Sequence, residues 1–222
     1  KPKVEDPILG YIINKNDNKI SFLDIGCGSG ESAHFWGNAS SIINLSSKIE
    51  VFGVEPSNEA RKNLLNKDIQ TFKSIDQIKN KQKFEIIRLN WSLEHVHSPR
   101  EYFEFISNHL KENGIAVICV PNNDGLIYKI NPKCLELPIH LYHFDRNSLE
   151  KYAKKYKLKM HLFSTFSYPQ MYLYANELGL ISTPFKNKIN LFEAKVFLKM
   201  NQIIDKAGLG NDIVSVFKKL PK

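Results

Sequence analysis

Phe22-Leu23-Asp24-Ile25-Gly26-Cys27-Gly28-Ser29-Gly30 is the stretch on which the reading of this chain turns. Ile20, Phe22, Leu23 and Ile25 make an apolar run of the kind a parallel strand buried on both faces needs. The run breaks into glycines at alternate positions, and a polar stretch from Glu31 to Trp36 then opens a helix. Glycine takes positive φ and leaves room where a Cβ would meet a ligand. Strand, glycine turn and helix predict a crevice at the carboxyl end of the strand, where open α/β sheets bind their ligands.

The next strand narrows the ligand. Ile49-Glu50-Val51-Phe52-Gly53-Val54 is again apolar and β-rich, and it ends in Glu55-Pro56-Ser57. An acidic residue at the end of a second strand is placed to accept hydrogen bonds from a ribose diol. A dinucleotide site wants G-x-G-x-x-G. Here the spacing is G-x-G-x-G, and Glu31 stands where the third spaced glycine would be. A carboxylate there would repel a pyrophosphate but tolerates a cofactor without phosphate, so an NAD-dependent dehydrogenase is disfavoured.

Leu23 to Gly30 followed by Val54-Glu55-Pro56-Ser57 resembles the class I S-adenosylmethionine-dependent methyltransferases. Phe84-Glu85-Ile86-Ile87 through Ser92-Leu93-Glu94-His95-Val96 is similar to the fourth-strand segment of that family's small-molecule branch. Pro138-Ile139-His140-Leu141-Tyr142-His143-Phe144, with Ser148-Leu149, is similar to the segment after its fifth strand. The resemblance covers residues 20 to 165. It implies S-adenosyl-L-methionine as cofactor and a Rossmann-like methyltransferase fold. That fold is a doubly wound, mostly parallel, seven-stranded α/β sheet with a helical segment inserted before the last strand. It also implies one methyltransferase domain over 1–222, divided into an N-terminal helix and linker (1–19), a cofactor-binding core (20–165), a helical insertion (166–210) and a final strand (211–222). Asp24, Gly26, Cys27, Gly28, Gly30, Glu55 and Pro56 are expected around the cofactor. So are Asn90, Trp91 and Ser92, at the carboxyl end of the fourth strand. Asp76 is expected either at the adenine or as a helix cap.

The spacing predicts the remaining elements. Pro7 to Ile13 reads as a short amphipathic helix over the cleft or on the sheet. Helices are predicted over 33–47 and 58–66, the latter capped by Ser57. A third strand is predicted over 69–75, a fourth over 84–89 and a fifth over 115–120. Between the last two, Pro99 opens a helix that Asn113-Gly114 ends. Residues 125–145 read as an aromatic loop, a flap on the acceptor side. Asp145 or Asn147 caps a helix from Ser148 to Tyr156, and a sixth strand spans 159–166. The stretch 168–200 is predicted mostly helical, and the final strand spans 212–218.

Composition excludes several classes. The 222 residues suit one domain with a full-sized core, and 42% hydrophobic with 24% charged residues are ordinary globular values. No apolar run reaches the length of a membrane span, and no secretory signal opens the chain, so no membrane insertion and a cytoplasmic location are expected. Lys1 in place of Met leaves room for residues upstream. Cys27, Cys119 and Cys134 form neither an even framework nor a C-x-x-C pattern, which fits a reducing compartment. The net charge of +8 comes from scattered lysines, and arginine is scarce (Arg61, Arg88, Arg100, Arg146), so no specific nucleic-acid partner is expected. Nothing assigns an oligomeric state.

Methyl transfer to a hydroxyl needs alignment and a base. His95, His97, His140 and His143 are expected near strand ends on the cleft side. His140 is the first choice as base, with His143 as its partner and His95 next. His34, His109 and His161 sit within element patterns and read as packing or surface residues. Glu94-His95-x-His97 offers a carboxylate and imidazoles that could hold a divalent cation, yet packing explains so short a pattern equally well, and no metal is assigned. The predicted activity is O-methylation of a small polar acceptor such as a sugar, nucleotide sugar or surface-glycan precursor. N- or C-methylation of another metabolite, or a non-catalytic nucleotide-binding scaffold, are the alternatives.

Overall fold

The structure, a computed structural model, describes residues 5–15, 19–42, 48–65, 67, 69–130, 136–167 and 191–220. Its centre is a sheet of β1 (Lys19–Ile25), β2 (Lys48–Val54), β3 (Gln70–Phe72), β4 (Phe84–Asn90), β5 (Leu110–Pro121), β6 (Leu158–Phe166) and β7 (Asp212–Lys219). The strand order is β3-β2-β1-β4-β5-β7-β6. The first five strands are mutually parallel, and β7 runs antiparallel to β5 and β6. The order reverses between β1 and β4, which opens the crevice at their carboxyl ends. The expected doubly wound, mostly parallel seven-stranded sheet is therefore the observed one.

The helices are α1 (Glu5–Ile13), α2 (Glu31–Ile42), α3 (Asn58–Leu65), α4 (Pro99–His109), α5 (Leu126–Ile130), α6 (Arg146–Lys155) and α7 (Leu191–Lys206). Alternate strand residues bury to opposite faces. Leu23, Ile25, Ile87 and Ile118 join Phe103, Ile106 and Leu149 of α4 and α6. Ile20, Phe22, Ile86 and Val117 join Ile8 and Ile12 of α1, Trp36 of α2 and Leu64 of α3. Near-continuous apolar runs in β1, β4 and β5 are what this double burial demands. Of the two expected placements for α1, the structure shows the one on the sheet.

Several bounds differ from the expectations. The helix entering β5 ends at His109, and β5 already begins at Leu110. Gly114 thus lies inside the strand, where the pairing with β4 shifts register between Phe84 and Ile86. A Cβ at Gly114 would stand 2.7 Å from the Glu85 carbonyl oxygen, so the glycine serves close strand approach rather than a helix stop. The third strand keeps only three residues, and Ile75–Gln77 form a 3-10 turn. Within the expected loop 125–145 lies α5. Residues 168–190 of the expected helical insertion fall outside the described residues, and α7 is the helix seen in the rest.

Candidate active site

The glycine turn hangs from β2. Gly26 N and Cys27 N both donate to the Val54 carbonyl, at 2.8 and 3.3 Å. At Gly28 φ is +55°, and nothing lies within 4 Å of where a Cβ would stand, so this backbone faces open space. Gly30, at φ +77°, answers to packing instead, because a Cβ there would sit 1.9 Å from Leu64 Cδ2 of α3. Glu55 closes the turn from the side. Its Oε2 accepts from Gly28 N at 2.9 Å and its Oε1 from Ser57 N at 2.8 Å, with the residue 9% exposed. Each carboxylate oxygen keeps a second lone pair, so Glu55 can hold the loop and still accept from a ribose diol.

The other residues expected at the cofactor take different places. Asp24 lies beneath the turn: its two oxygens accept from Arg88 Nε at 2.9 Å and Nη2 at 2.6 Å, and both residues are buried. Arg88 Nη1 donates onward to Ser32 Oγ at the start of α2, at 2.8 Å. Asp24 thus anchors β1 to β4 and α2. Cys27 is half-buried, and burial, followed by the charges of Asp24 and Glu55, pushes its thiol up to about 12, which keeps it neutral. Pro56 is exposed beside Glu55, and Asp76 is exposed in the turn after β3. Ser92 Oγ donates to the Ile25 carbonyl at 2.9 Å, tying the end of β4 to the glycine turn. Trp91 holds φ at +48° and donates from its indole to Asp212 Oδ1 at 3.2 Å. Asn90 Oδ1 is buried with no hydrogen-bond partner among the described residues.

Across the mouth of β4 and β5 the chain assembles a polar cluster. Leu93–His95 form a 3-10 turn after β4, and residues 136–145 are strapped onto it. Leu141 N and Tyr142 N donate to the Glu94 carbonyl at 2.9 and 3.2 Å, and Tyr142 OH donates to the His97 carbonyl at 2.9 Å. This strap brings His95 and His140 to 4.9 Å between ring centroids, with His143 6.4 Å beyond His140. Beneath them lies Glu94, 1% exposed, its two carboxyl oxygens without a hydrogen-bond partner among the described residues. Burial pushes this carboxyl up to about 7, and the charges of Asp212 and Glu136 add to the shift. His143 Nε2 and Asn211 Oδ1 are also buried without a partner among the described residues.

Three of the expected histidines therefore come together, and the others do not. His97 is exposed and enters the cluster only through its backbone carbonyl. His34 pairs with Asn38 on α2, His109 is packed at the end of α4, and His161 is exposed on β6. Sequence reading did not find Arg88, Glu136, Asp212 or Asn211. Arg88 did leave a signal: it interrupts an apolar strand and pairs in register with Asp24 of β1.

The open Gly28 backbone and the Glu55 carboxylate beside it make a ligand crevice at the carboxyl ends of β1 and β2 in a doubly wound α/β domain. The chain belongs to the methyltransferase-domain family, whose model matches residues 6–162, and S-adenosylmethionine is the cofactor of this fold. It is similar to the ubiquinone biosynthesis O-methyltransferase of Rickettsia typhi, 31% identical over an alignment of 133 residues, with 54% of this chain and 51% of that protein covered. The chain spans about half the length of the curated relatives it matches. Among solved structures it resembles an S-adenosylmethionine-dependent methyltransferase from Clostridium acetobutylicum (TM-score 0.61, 14% identity, 99% of this chain and 92% of that one). It also resembles the plantazolicin methyltransferase BpumL in complex with SAH (TM-score 0.60, 15% identity, 99% and 83%). At these identities the structural likeness is one of fold. No helix among the described residues is long and apolar enough to cross a membrane.

Proposed function

We propose that this domain O-methylates a hydroxyl of a small acceptor bound over the carboxyl ends of β4 and β5. The observation that carries the reading is the gathering of His95, His140 and His143 around the turn that follows β4. The residues present fit the cofactor: Gly28 is open, Glu55 has lone pairs to spare, and the buried Asn90 Oδ1 lacks a donor. S-adenosylmethionine supplies an electrophilic methyl group on a sulfonium. The chain's own residues must hold the acceptor oxygen in line and remove its proton. A held geometry is worth effective molarities of about 10⁵–10⁸ M, and a placed base adds roughly 10²–10⁴-fold.

Among the three histidines, His143 is the one we assign to proton acceptance, because its Nε2 is buried without a partner among the described residues. His140 Nε2 lies 3.4 Å from Glu136 Oε2, and His95 faces Glu94, so these two hold the cluster's shape. Two relatives are named for O-methylation in ubiquinone biosynthesis, which supports oxygen as the target atom. Leu137, Ile139 and Leu141, exposed at 69, 65 and 47%, rim the histidines. Such a rim favours an acceptor with an apolar part, such as a phenol, over a free sugar or nucleotide sugar.

The test is transfer of a labelled methyl group to a panel of phenols, sugars, nucleotide sugars and amines. A methyl ether should form, best on the phenols, and His143→Asn should lower turnover by roughly 10²-fold with unchanged affinity for the demethylated cofactor. Transfer only to nitrogen or carbon would replace this reading. Tight cofactor binding with no transfer to any acceptor would favour the scaffold.

A further inference from the structure

We propose that Glu94, His95 and His140 form a binding site for a divalent transition-metal cation of the Mn²⁺, Co²⁺ or Zn²⁺ class. Their ligand atoms, one from each side chain, all lie within 4.8 Å of one another. Glu94 is 1% exposed, and neither carboxyl oxygen meets a hydrogen-bond donor among the described residues. A carboxylate so placed needs a positive partner, because burial without one is costly. Its neighbours Asp212 and Glu136 bring more negative charge.

The imidazole beside it is set up to share that partner. His95 Nδ1 lies 3.1 Å from the Ile139 carbonyl oxygen, and only an N–H can face a carbonyl at that distance. The proton therefore sits on Nδ1. In the neutral ring Nε2 carries the lone pair, and it stands 3.9 Å from Glu94 Oε1. With His95 neutral, two lone-pair atoms face each other across a gap that suits a cation between them. An imidazole whose far nitrogen donates to a backbone carbonyl is the usual dress of a metal ligand. His140 is oriented in a comparable way by Glu136, 3.4 Å from its Nε2.

The ligands come from segments about 45 residues apart, so the strap matters. Leu141 N and Tyr142 N on the Glu94 carbonyl keep His140 over the turn that carries Glu94 and His95. Two imidazoles and one carboxylate suit transition cations better than Mg²⁺, which prefers oxygen ligands and keeps its waters. Three protein ligands leave coordination positions open to an acceptor. Resting on the proposed O-methylation, the cation would hold an acceptor oxygen and ease loss of its proton. The cation site itself stands on the geometry alone.

The experiment uses the whole chain, stripped of metal and titrated with Co²⁺, Mn²⁺, Zn²⁺ and Mg²⁺ by calorimetry, with the visible absorption of Co²⁺ as a coordination signature. One cation should bind per chain, with Mg²⁺ weakest. His95→Asn, at an exposed ring whose loss leaves the fold intact, should weaken Co²⁺ binding by roughly 100-fold or more, as should Glu94→Gln and His140→Ala. His97→Ala should leave it unchanged. Absence of stoichiometric Co²⁺ binding, or binding that survives in both His95→Asn and His140→Ala, would overturn the site. Methyl transfer at full rate in chelator without metal binding removes the cation and leaves O-methylation standing. Cation binding with no methyl transfer does the reverse.

Discussion

At the scale of single residues, Glu55 works in two directions at once. It accepts from Gly28 N and Ser57 N within the chain, and each carboxylate oxygen keeps a second lone pair for a ligand. Charge-assisted bonds of this kind are worth about 1.5–3 kcal/mol each, so Glu55→Ala should weaken binding of the demethylated cofactor by at least ~10-fold. Calorimetry should place Glu55→Gln between the two, because its amide keeps one acceptor oxygen and loses the charge. Unchanged affinity in Glu55→Ala would put the ribose elsewhere. The residues beneath were harder to read. Asp24 belongs to the glycine motif by position but spends both oxygens on Arg88, a pairing set by strand register. Glu94 was visible beside His95, and sequence proximity suggested His97 as the third member. The chain instead folds His140 onto it, across a separation no local spacing encodes.

At the scale of elements, α6 begins where the strap ends, and its first turn is built around Asp145. Asp145 Oδ1 accepts from Ser148 N at 2.6 Å, and Ser148 Oγ accepts in return from Asp145 N at 2.9 Å. The bond from Ser148 N holds the Asp145 carboxyl below its ordinary range. Asp145→Ala should cost about 1 kcal/mol of stability in urea unfolding, and Asp145→Asn should recover most of it. Equal stability of Asp145→Ala and the parent would mean the cap is not formed. This cap was readable in part: the sequence offered Asp145 or Asn147, and the bond from Ser148 N decides for Asp145. Also readable were β1, β2 and β4, whose apolar runs end in turn residues. The start of β5 was not, because Asn113-Gly114 carries the same residues whether it ends a helix or admits a close strand. The pairing of Leu110 and Ile115 with β4, and the 2.7 Å that would separate a Cβ at Gly114 from the Glu85 carbonyl oxygen, tell the two apart.

At the scale of the whole molecule, the helix layer against the face formed by Leu23, Ile87 and Ile118 carries a titrating group at its edge. His109 ends α4, is 6% exposed, and stacks on Phe105 with ring centroids 4.1 Å apart. Its Nδ1 donates to the Gln82 carbonyl at 2.8 Å. Burial holds its pKa below the usual 6.5, the charges of Lys83 and Lys219 push the same way, and the Gln82 carbonyl opposes them. The unfolded chain therefore takes up this proton at a higher pH than the folded one. Above the unfolded value both states are neutral at this site, and its contribution to stability is complete. As pH falls below that value, proton uptake favours the unfolded chain, and the contribution is lost toward the folded pKa. His109→Gln removes the titration together with the stacked ring, so the variant should be less stable than the parent at about pH 7.5 and lose less on going to about pH 5.5. The gap between the two urea midpoints should close on acidification, while a gap that stays constant or widens would show that His109 charges as readily in the folded protein as in the unfolded chain.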